Sequence, residues 1–170
     1  SANLVLRESK IFNNIKNKIL NREFGDIYYF EGDYLYGRLN KLTEGWRGLD
    51  KNYSVTLGGG IHLIDLMISF FNQFPRYVRT YSNKIATRNN KFKFNDFTQS
   101  NFFFKNGAIA KITSNFGCMH KHQHILKVYG TKKTFIYDDV GARIFSRRDP
   151  FLSKAYKVKK LYDGKACLLP

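Results

Sequence analysis

A run of three glycines at residues 58–60 stands directly before an apolar segment that carries His62 and Asp65. In a helix, residues three apart share a face, so this spacing places the imidazole and the carboxylate one turn apart. Histidine titrates near neutral pH, which makes His62 a candidate general acid or base. Glycines permit a sharp turn or a close approach of the backbone to another group. The alternative interpretation is a helix start with a structural, partly buried histidine.

Trp46 and Arg47 lie in residues 37–53, a segment with many glycine, asparagine and charged residues and little periodicity. We predict a long loop, and long loops in compact domains often carry function. Arginine offers paired N–H donors to a phosphate, and the indole offers a flat face to a sugar or base. Both are therefore candidate substrate-binding residues, the alternative being a loop anchor with the indole packed on the sheet. Tyr34 and Arg38, at the end of the preceding strand, are weaker candidates.

His120, His122 and His124 alternate along a predicted strand, which would put all three on one face. Such a row invites a metal hypothesis, but it spreads over about 13 Å of strand, so three ligands would not converge on one ion. Cys118 is nearby, but no carboxylate or cysteine of suitable spacing joins the row. We therefore predict no metal site. An ordinary polar sheet face is the favoured interpretation, ahead of a contact with substrate or a partner subunit.

The formal net charge is +16, from 29 Lys and Arg against 13 Asp and Glu. Such a charge suggests an anionic partner, either nucleic acid or a phosphate-bearing small molecule. However, the lysines are spread along the chain, and we favour background composition, since residues with A/T-rich codons are abundant. No apolar run reaches the ~18 residues of a membrane span, and no signal peptide is recognisable at the start. With two distant cysteines only, we expect a cytoplasmic protein.

Hydrophobic periodicity predicts an α+β fold: a mostly antiparallel open β-sheet with two main helices packed on one face. Consecutive strands joined by short turns, including one at Asn106-Gly107, account for the antiparallel pairing. The predicted helices are residues 7–24 and 58–73, and the predicted strands are residues 26–36, 77–85, 98–104, 108–115, 120–129, 134–137 and 142–146.

Several enzyme signatures are absent from the sequence. There is no GxGxxG after a strand and therefore no dinucleotide-binding fingerprint. The glycine run does not continue into the GK[ST] of a phosphate-binding loop, and neither HExxH nor GxSxG occurs. The sequence thus predicts no cofactor-binding residues of these types in the chain.

Five segments in a fixed order carry a resemblance to a known family: residues 25–27, 46–47, 58–66, 104–108 and 124–135. With the leading helix, they look like the C-terminal domain of the glucose–fructose oxidoreductase / inositol dehydrogenase (Gfo/Idh/MocA) family over residues 3–146. Members are two-domain, NAD(P)-dependent dehydrogenases of sugars, cyclitols or sugar nucleotides. The resemblance implies that the nicotinamide site belongs to an N-terminal Rossmann domain outside this chain.

What the resemblance implies for this chain is a substrate-binding and oligomerisation domain that is inactive alone. Residues 1–170 would form one domain, with residues 151–170 as a tail or a closing strand. The partners would be a sugar or sugar-nucleotide substrate, the absent Rossmann domain, and further copies of the chain paired through a sheet face. A basic chain favours the sugar nucleotide over a free polyol.

The family's catalytic histidine maps onto His62, and Asp65 matches the family pattern. Asp65 is expected to orient its surroundings at the substrate site rather than to do chemistry. Many members carry an acidic residue four positions before the histidine, where this chain has Gly58. That departure leaves two alternatives open, a subgroup that relies on His62 and a lysine of the absent domain, or a member without activity.

Two other functions compete with a dehydrogenase. One is a non-catalytic sugar-nucleotide-binding or assembly module, which the glycine at position 58 favours. The other is a basic nucleic-acid-binding domain, but the aromatic residues form no recognisable single-strand-binding motif. We therefore do not expect nucleic acid as the partner.

Overall fold

The structure is a computed structural model that describes residues 4–148 and the backbone of residues 156–157. The strands are β1 (Ile27–Leu35), β2 (Tyr77–Asn83), β3 (Phe97–Phe103), β4 (Ile109–Asn115), β5 (Gln123–Gly130), β6 (Thr134–Asp138), β7 (Gly141–Phe145) and β8 (Tyr156–Lys157). The helices are α1 (Lys10–Leu20), α2 (Asn40–Thr43), α3 (Trp46–Leu49) and α4 (Ile61–Phe71). A 3-10 turn, Val5–Glu8, precedes α1, and a π-helical turn, Thr56–Gly60, precedes α4.

All strands belong to one sheet in the order β2-β3-β4-β1-β5-β6-β7-β8. The pair β1–β4 is parallel and every other pair is antiparallel, which confirms the predicted mostly antiparallel sheet. Asn106 and Gly107 form the predicted turn between β3 and β4, with Gly107 at a φ of 84°. Because β1 lies between β4 and β5, it joins the two halves of the sheet.

The core lies between one face of the sheet and the helices α1 and α4. Alternation along β1 turns Phe30, Gly32 and Tyr34 toward the helices, where all three are buried. A Cβ on Gly32 would lie 3.3 Å from Cδ1 of Leu63, so the glycine lets α4 approach the sheet closely. The large, fully buried side chains of the core include Phe12, Ile15, Phe30, Leu63, Met67, Phe70 and Leu126.

The opposite face of the sheet carries partly exposed charges and aromatic rings. Nζ of Lys111 lies 2.5 Å from Glu31 and 3.8 Å from Asp33, and Nζ of Lys127 lies 3.5 Å from Glu31. Tyr77 and Phe103 stack on this face with ring centroids 4.6 Å apart. We call this surface the open face.

Several predicted boundaries differ from those in the structure. The first helix ends at Leu20, before residue 24, because the chain turns through positive φ angles at Arg22 and Gly25. The predicted loop at residues 37–53 contains the one-turn helices α2 and α3. Strand β5 begins at Gln123, so His120 and His122 precede the strand.

The predicted tail or closing strand, residues 151–170, lies outside the described residues except for β8. The backbone of β8 pairs with β7, with Tyr156 opposite Ile144. None of the helices in the described ranges combines the length and the apolar character that crossing a membrane requires.

Candidate active site

The glycines before α4 bring the start of the helix directly against the sheet and the preceding loop. A Cβ added at residues 58, 59 and 60 would lie 2.1, 2.4 and 2.2 Å from the nearest side-chain atom. Those distances are too short for a real Cβ. The three glycines therefore let the backbone lie close to neighbouring side chains, as the sequence predicts. The nearest side chain is that of Tyr53 at residue 58, Tyr34 at residue 59 and Ser114 at residue 60.

His62 is the second residue of α4, and its imidazole is half-buried against the end of β1. Its ring stacks on Tyr34, with centroids 6.3 Å apart and planes at 23°. Nδ1 is buried and has no hydrogen-bond partner among the described residues. Burial lowers the pKa of His62, and the carboxylate of Asp65 offsets part of that shift. His62 is therefore a neutral imidazole at neutral pH.

His122 and His124 lie on the same side of the sheet as His62, and we call the three residues the histidine cluster. The ring of His124 is 6.5 Å from that of His62 and 5.5 Å from that of His122. All four ring nitrogens of His122 and His124 are buried without hydrogen-bond partners among the described residues. Burial lowers the pKa of both rings, that of His124 to about 3, so the cluster is uncharged.

The prediction of three histidines along one strand is wrong, because only His124 lies in β5, and His120 also lies apart from the cluster. Its Nδ1 lies 2.9 Å from the carbonyl oxygen of Lys121, and its Nε2 lies 3.4 Å from Asp139, away from the cluster. Within the described residues, no group of three or more His, Cys, Asp and Glu side chains has a geometry that could hold a metal ion.

The histidine cluster makes stability depend on pH. His124 is neutral when folded, with a pKa of about 3, but its pKa in the unfolded chain is about 6.5. Below that pH the unfolded state binds more protons, so the free energy of unfolding falls as the pH falls. We expect a loss of about 2 kcal/mol from His124 alone between pH 7 and pH 5.

Denaturant unfolding at pH 7, 6 and 5 measures this dependence. His124→Leu should flatten it, whereas His120→Leu should keep the slope of the wild type, because His120 lies outside the cluster. The same slope in His124→Leu and in the wild type would contradict the assignment.

Tyr34 and Tyr36 form the floor that joins the histidine cluster to the loop after β1. Both are buried on the helix side of β1, with ring centroids 6.0 Å apart. The ring of Tyr34 is 5.0 Å from His124, and that of Tyr36 is 4.9 Å from His122. Burial raises the pKa of Tyr34, so its hydroxyl stays protonated at neutral pH.

Arg38 and Arg47 lie beside this floor. The Cζ atoms of the two guanidinium groups are 5.7 Å and 5.9 Å from the ring centroid of Tyr36. Trp46 is 63% exposed, and its ring lies 4.7 Å from Cζ of Arg47. The indole is thus exposed and the arginine is half-buried. The alternative considered from the sequence, an indole packed on the sheet beside a solvated arginine, is the opposite arrangement. The site can accept a proton at an imidazole, stack against a flat ring and attract an anion.

Asp65 is engaged by Arg7 from the turn before α1. Its carboxylate oxygens accept hydrogen bonds of 2.6 Å from Nε and 2.5 Å from Nη2 of that arginine. This bidentate pair joins the 3-10 turn to α4, which agrees with an orienting role. A contact between Asp65 and substrate stays a prediction.

Sequence reasoning placed Tyr34, Trp46, Arg47 and His62 at the site, and the structure brings them around one floor. It missed Tyr36 and Tyr53. The alternation of Tyr34 and Tyr36 in the predicted strand 26–36 was a signal for the first of these. The position of Tyr53 against Gly58 has no local signal in the sequence.

Comparison with known proteins identifies the family. Residues 16–151 match the C-terminal alpha/beta domain of the Gfo/Idh/MocA oxidoreductase family, so the chain belongs to this family. A comparison with curated proteins finds no match.

Solved structures share the fold at low sequence identity. An oxidoreductase domain protein from Kribbella flavida has a TM-score of 0.70 and 16% identity, over 87% of this chain and 43% of its own. Levoglucosan dehydrogenase, in complex with NADH and levoglucosan, has a TM-score of 0.68 and 15% identity, over 84% and 42%. Myo-inositol 2-dehydrogenase from Lactobacillus plantarum has a TM-score of 0.68 and 18% identity, over 82% and 45%. The chain thus spans less than half the length of these proteins.

Proposed function

We propose that this chain is the substrate-binding domain of an NAD(P)-dependent dehydrogenase of a sugar or sugar nucleotide, with His62 as the catalytic base. The observation that carries the proposal is a neutral, half-buried imidazole at the start of α4 in a member of this oxidoreductase family. Levoglucosan dehydrogenase and myo-inositol 2-dehydrogenase support a sugar or cyclitol as the substrate.

Oxidation of a sugar hydroxyl breaks one C–H and one O–H bond and forms a carbonyl. When bound, the nicotinamide supplies the acceptor for the hydride, and the proton passes to a base. Because Nδ1 of His62 is buried, Nε2 is the atom that would take the proton. The lowered pKa of His62 keeps the imidazole in its basic form at neutral pH.

Substrate would lie on the floor formed by Tyr34 and Tyr36, with Trp46 and Arg47 at its loop side. The exposed indole offers a flat face to a sugar or a base. Asp65 would act there by holding α4 through Arg7.

The remainder of the protein would be an N-terminal Rossmann domain that binds NAD or NADP, since this chain spans less than half the length of its structural relatives. Residues 1–170 would then be one domain, inactive without that partner domain. Copies of the chain would pair through the open face, where aromatic rings and a charge network are partly exposed. We expect the protein in the cytoplasm.

An assay of the full-length protein, with any coding sequence upstream of residue 3 included, tests the proposal. Reduction of NAD or NADP is followed by absorbance with UDP-glucose, D-glucose and myo-inositol as substrates. We expect reduction with at least one of them. A folded protein that binds UDP-glucose but reduces neither cofactor would contradict the proposal and favour the non-catalytic binding module, as Gly58 in place of the family acid would also suggest.

A further inference from the structure

Two arginines beside the tyrosine floor have no carboxylate partner. No ion pair joins Arg38 or Arg47 to an acidic side chain in the part of the chain that the structure describes. Both arginines are half-buried residues, and Nε of Arg47 is buried without a hydrogen-bond partner among the described residues. Because a buried donor without a partner is costly, this atom favours a ligand that accepts hydrogen bonds.

The two cations act on the same small region. Burial raises the pKa of Tyr53, and the charge and proximity of the Arg47 guanidinium group offset part of that rise. The charge of Arg38 contributes to the lowered pKa of His122, after burial. The carboxylate near Tyr53 is that of Asp50, and its Oδ1 accepts a hydrogen bond of 2.9 Å from the backbone N–H of Asn52.

We propose that Arg38 and Arg47 form an oxyanion clamp for a phosphate group of the substrate, and that they select a sugar phosphate or sugar nucleotide over an uncharged sugar. This inference rests on the proposed function, because it assigns the anionic end of the same substrate. Guanidinium groups bind phosphate through paired, charge-assisted hydrogen bonds, and Trp46 extends the clamp with an exposed flat ring.

The division of charge within the site supports this choice. The histidine cluster is neutral and the two arginines near Tyr36 are cationic, so the arginines attract an anionic group and the histidines do not. The sugar ring would then extend toward His62, which places the reacting hydroxyl and the anion at opposite ends of the floor.

Binding measurements on the full-length protein without nicotinamide test the clamp. The probes are UDP-glucose, glucose 6-phosphate, glucuronate and D-glucose, with inorganic phosphate as a competitor. We expect Arg47→Gln and Arg38→Gln each to weaken binding of a phosphate-bearing probe about 10-fold or more, and Arg47→Lys to recover part of the loss. Affinity for D-glucose should not change. The ratio between UDP-glucose and glucose 6-phosphate distinguishes a nucleotide from a simple sugar phosphate.

Arg79→Gln is the matched control, since Arg79 is exposed on β2 and its replacement removes the same charge. Equal weakening in Arg79→Gln would mean that net charge alone attracts the probe, which overturns the clamp. Wild-type affinity in both Arg38→Gln and Arg47→Gln, or a preference for glucuronate or D-glucose over the phosphate probes, also overturns it. Because binding is measured without turnover, an inactive protein can still pass this test and an active dehydrogenase can fail it.

Discussion

Replacing His62 by alanine in the full-length protein is expected to lower kcat about 10²–10⁴-fold, the usual contribution of a general base. Substrate affinity should change little, because the floor of Tyr34 and Tyr36 and the two arginines remain. His120→Ala is the matched control, since that histidine lies outside the cluster beside Lys121 and Asp139. Turnover of His62→Ala at the wild-type rate would exclude His62 as the base.

The pH profile gives a second measurement of the same assignment. A base must be neutral to act, so activity falls as the pH drops through the pKa of His62. Because burial lowers that pKa, the fall in kcat/KM should occur below the pH at which an exposed histidine titrates, about 6.5. The acid limb should disappear from the residual activity of His62→Ala. An acid limb that persists unchanged would assign it to another group.

Local patterns in the sequence predicted the fold well. The aromatic and branched residues of segment 26–36 identified β1, and the Asn106-Gly107 turn correctly joined β3 to β4. Apolar spacing identified α1 and α4 but not their ends, because positive φ angles at Arg22 and Gly25 and the π-helical turn before α4 do not alter apolar spacing.

The site depends on pairings that local patterns do not contain. His124 reaches Tyr34 because β5 lies antiparallel to β1 with these residues opposite each other. That register joins residues far apart in sequence, so alternation could place His122 and His124 on a face but could not bring them to His62. The position of Arg47 over Tyr36 depends likewise on α3, in a segment without periodicity.

Gly58 lies where the resemblance to the family predicts an acidic residue, and Tyr53 occupies the space that a side chain there would need. A Cβ on Gly58 would lie 2.1 Å from Oη and 2.7 Å from Cζ of Tyr53, which is buried. An alanine at this position therefore overpacks the helix start. We expect Gly58→Ala to lower the free energy of unfolding by about 1–3 kcal/mol, and Gly58→Asp by at least as much.

A double-mutant cycle with Tyr53→Phe tests whether the clash is with the hydroxyl. Tyr53→Phe removes the atom 2.1 Å away, so Gly58→Ala should cost less in that background, with a coupling of about 0.5–3 kcal/mol. Denaturant unfolding of the wild type, both single variants and the double variant gives the coupling. Additive effects would mean that Tyr53 does not limit position 58. A measurable coupling would mean that the Tyr53 hydroxyl limits the side chain at position 58, so that a carboxylate there requires a change at position 53 as well.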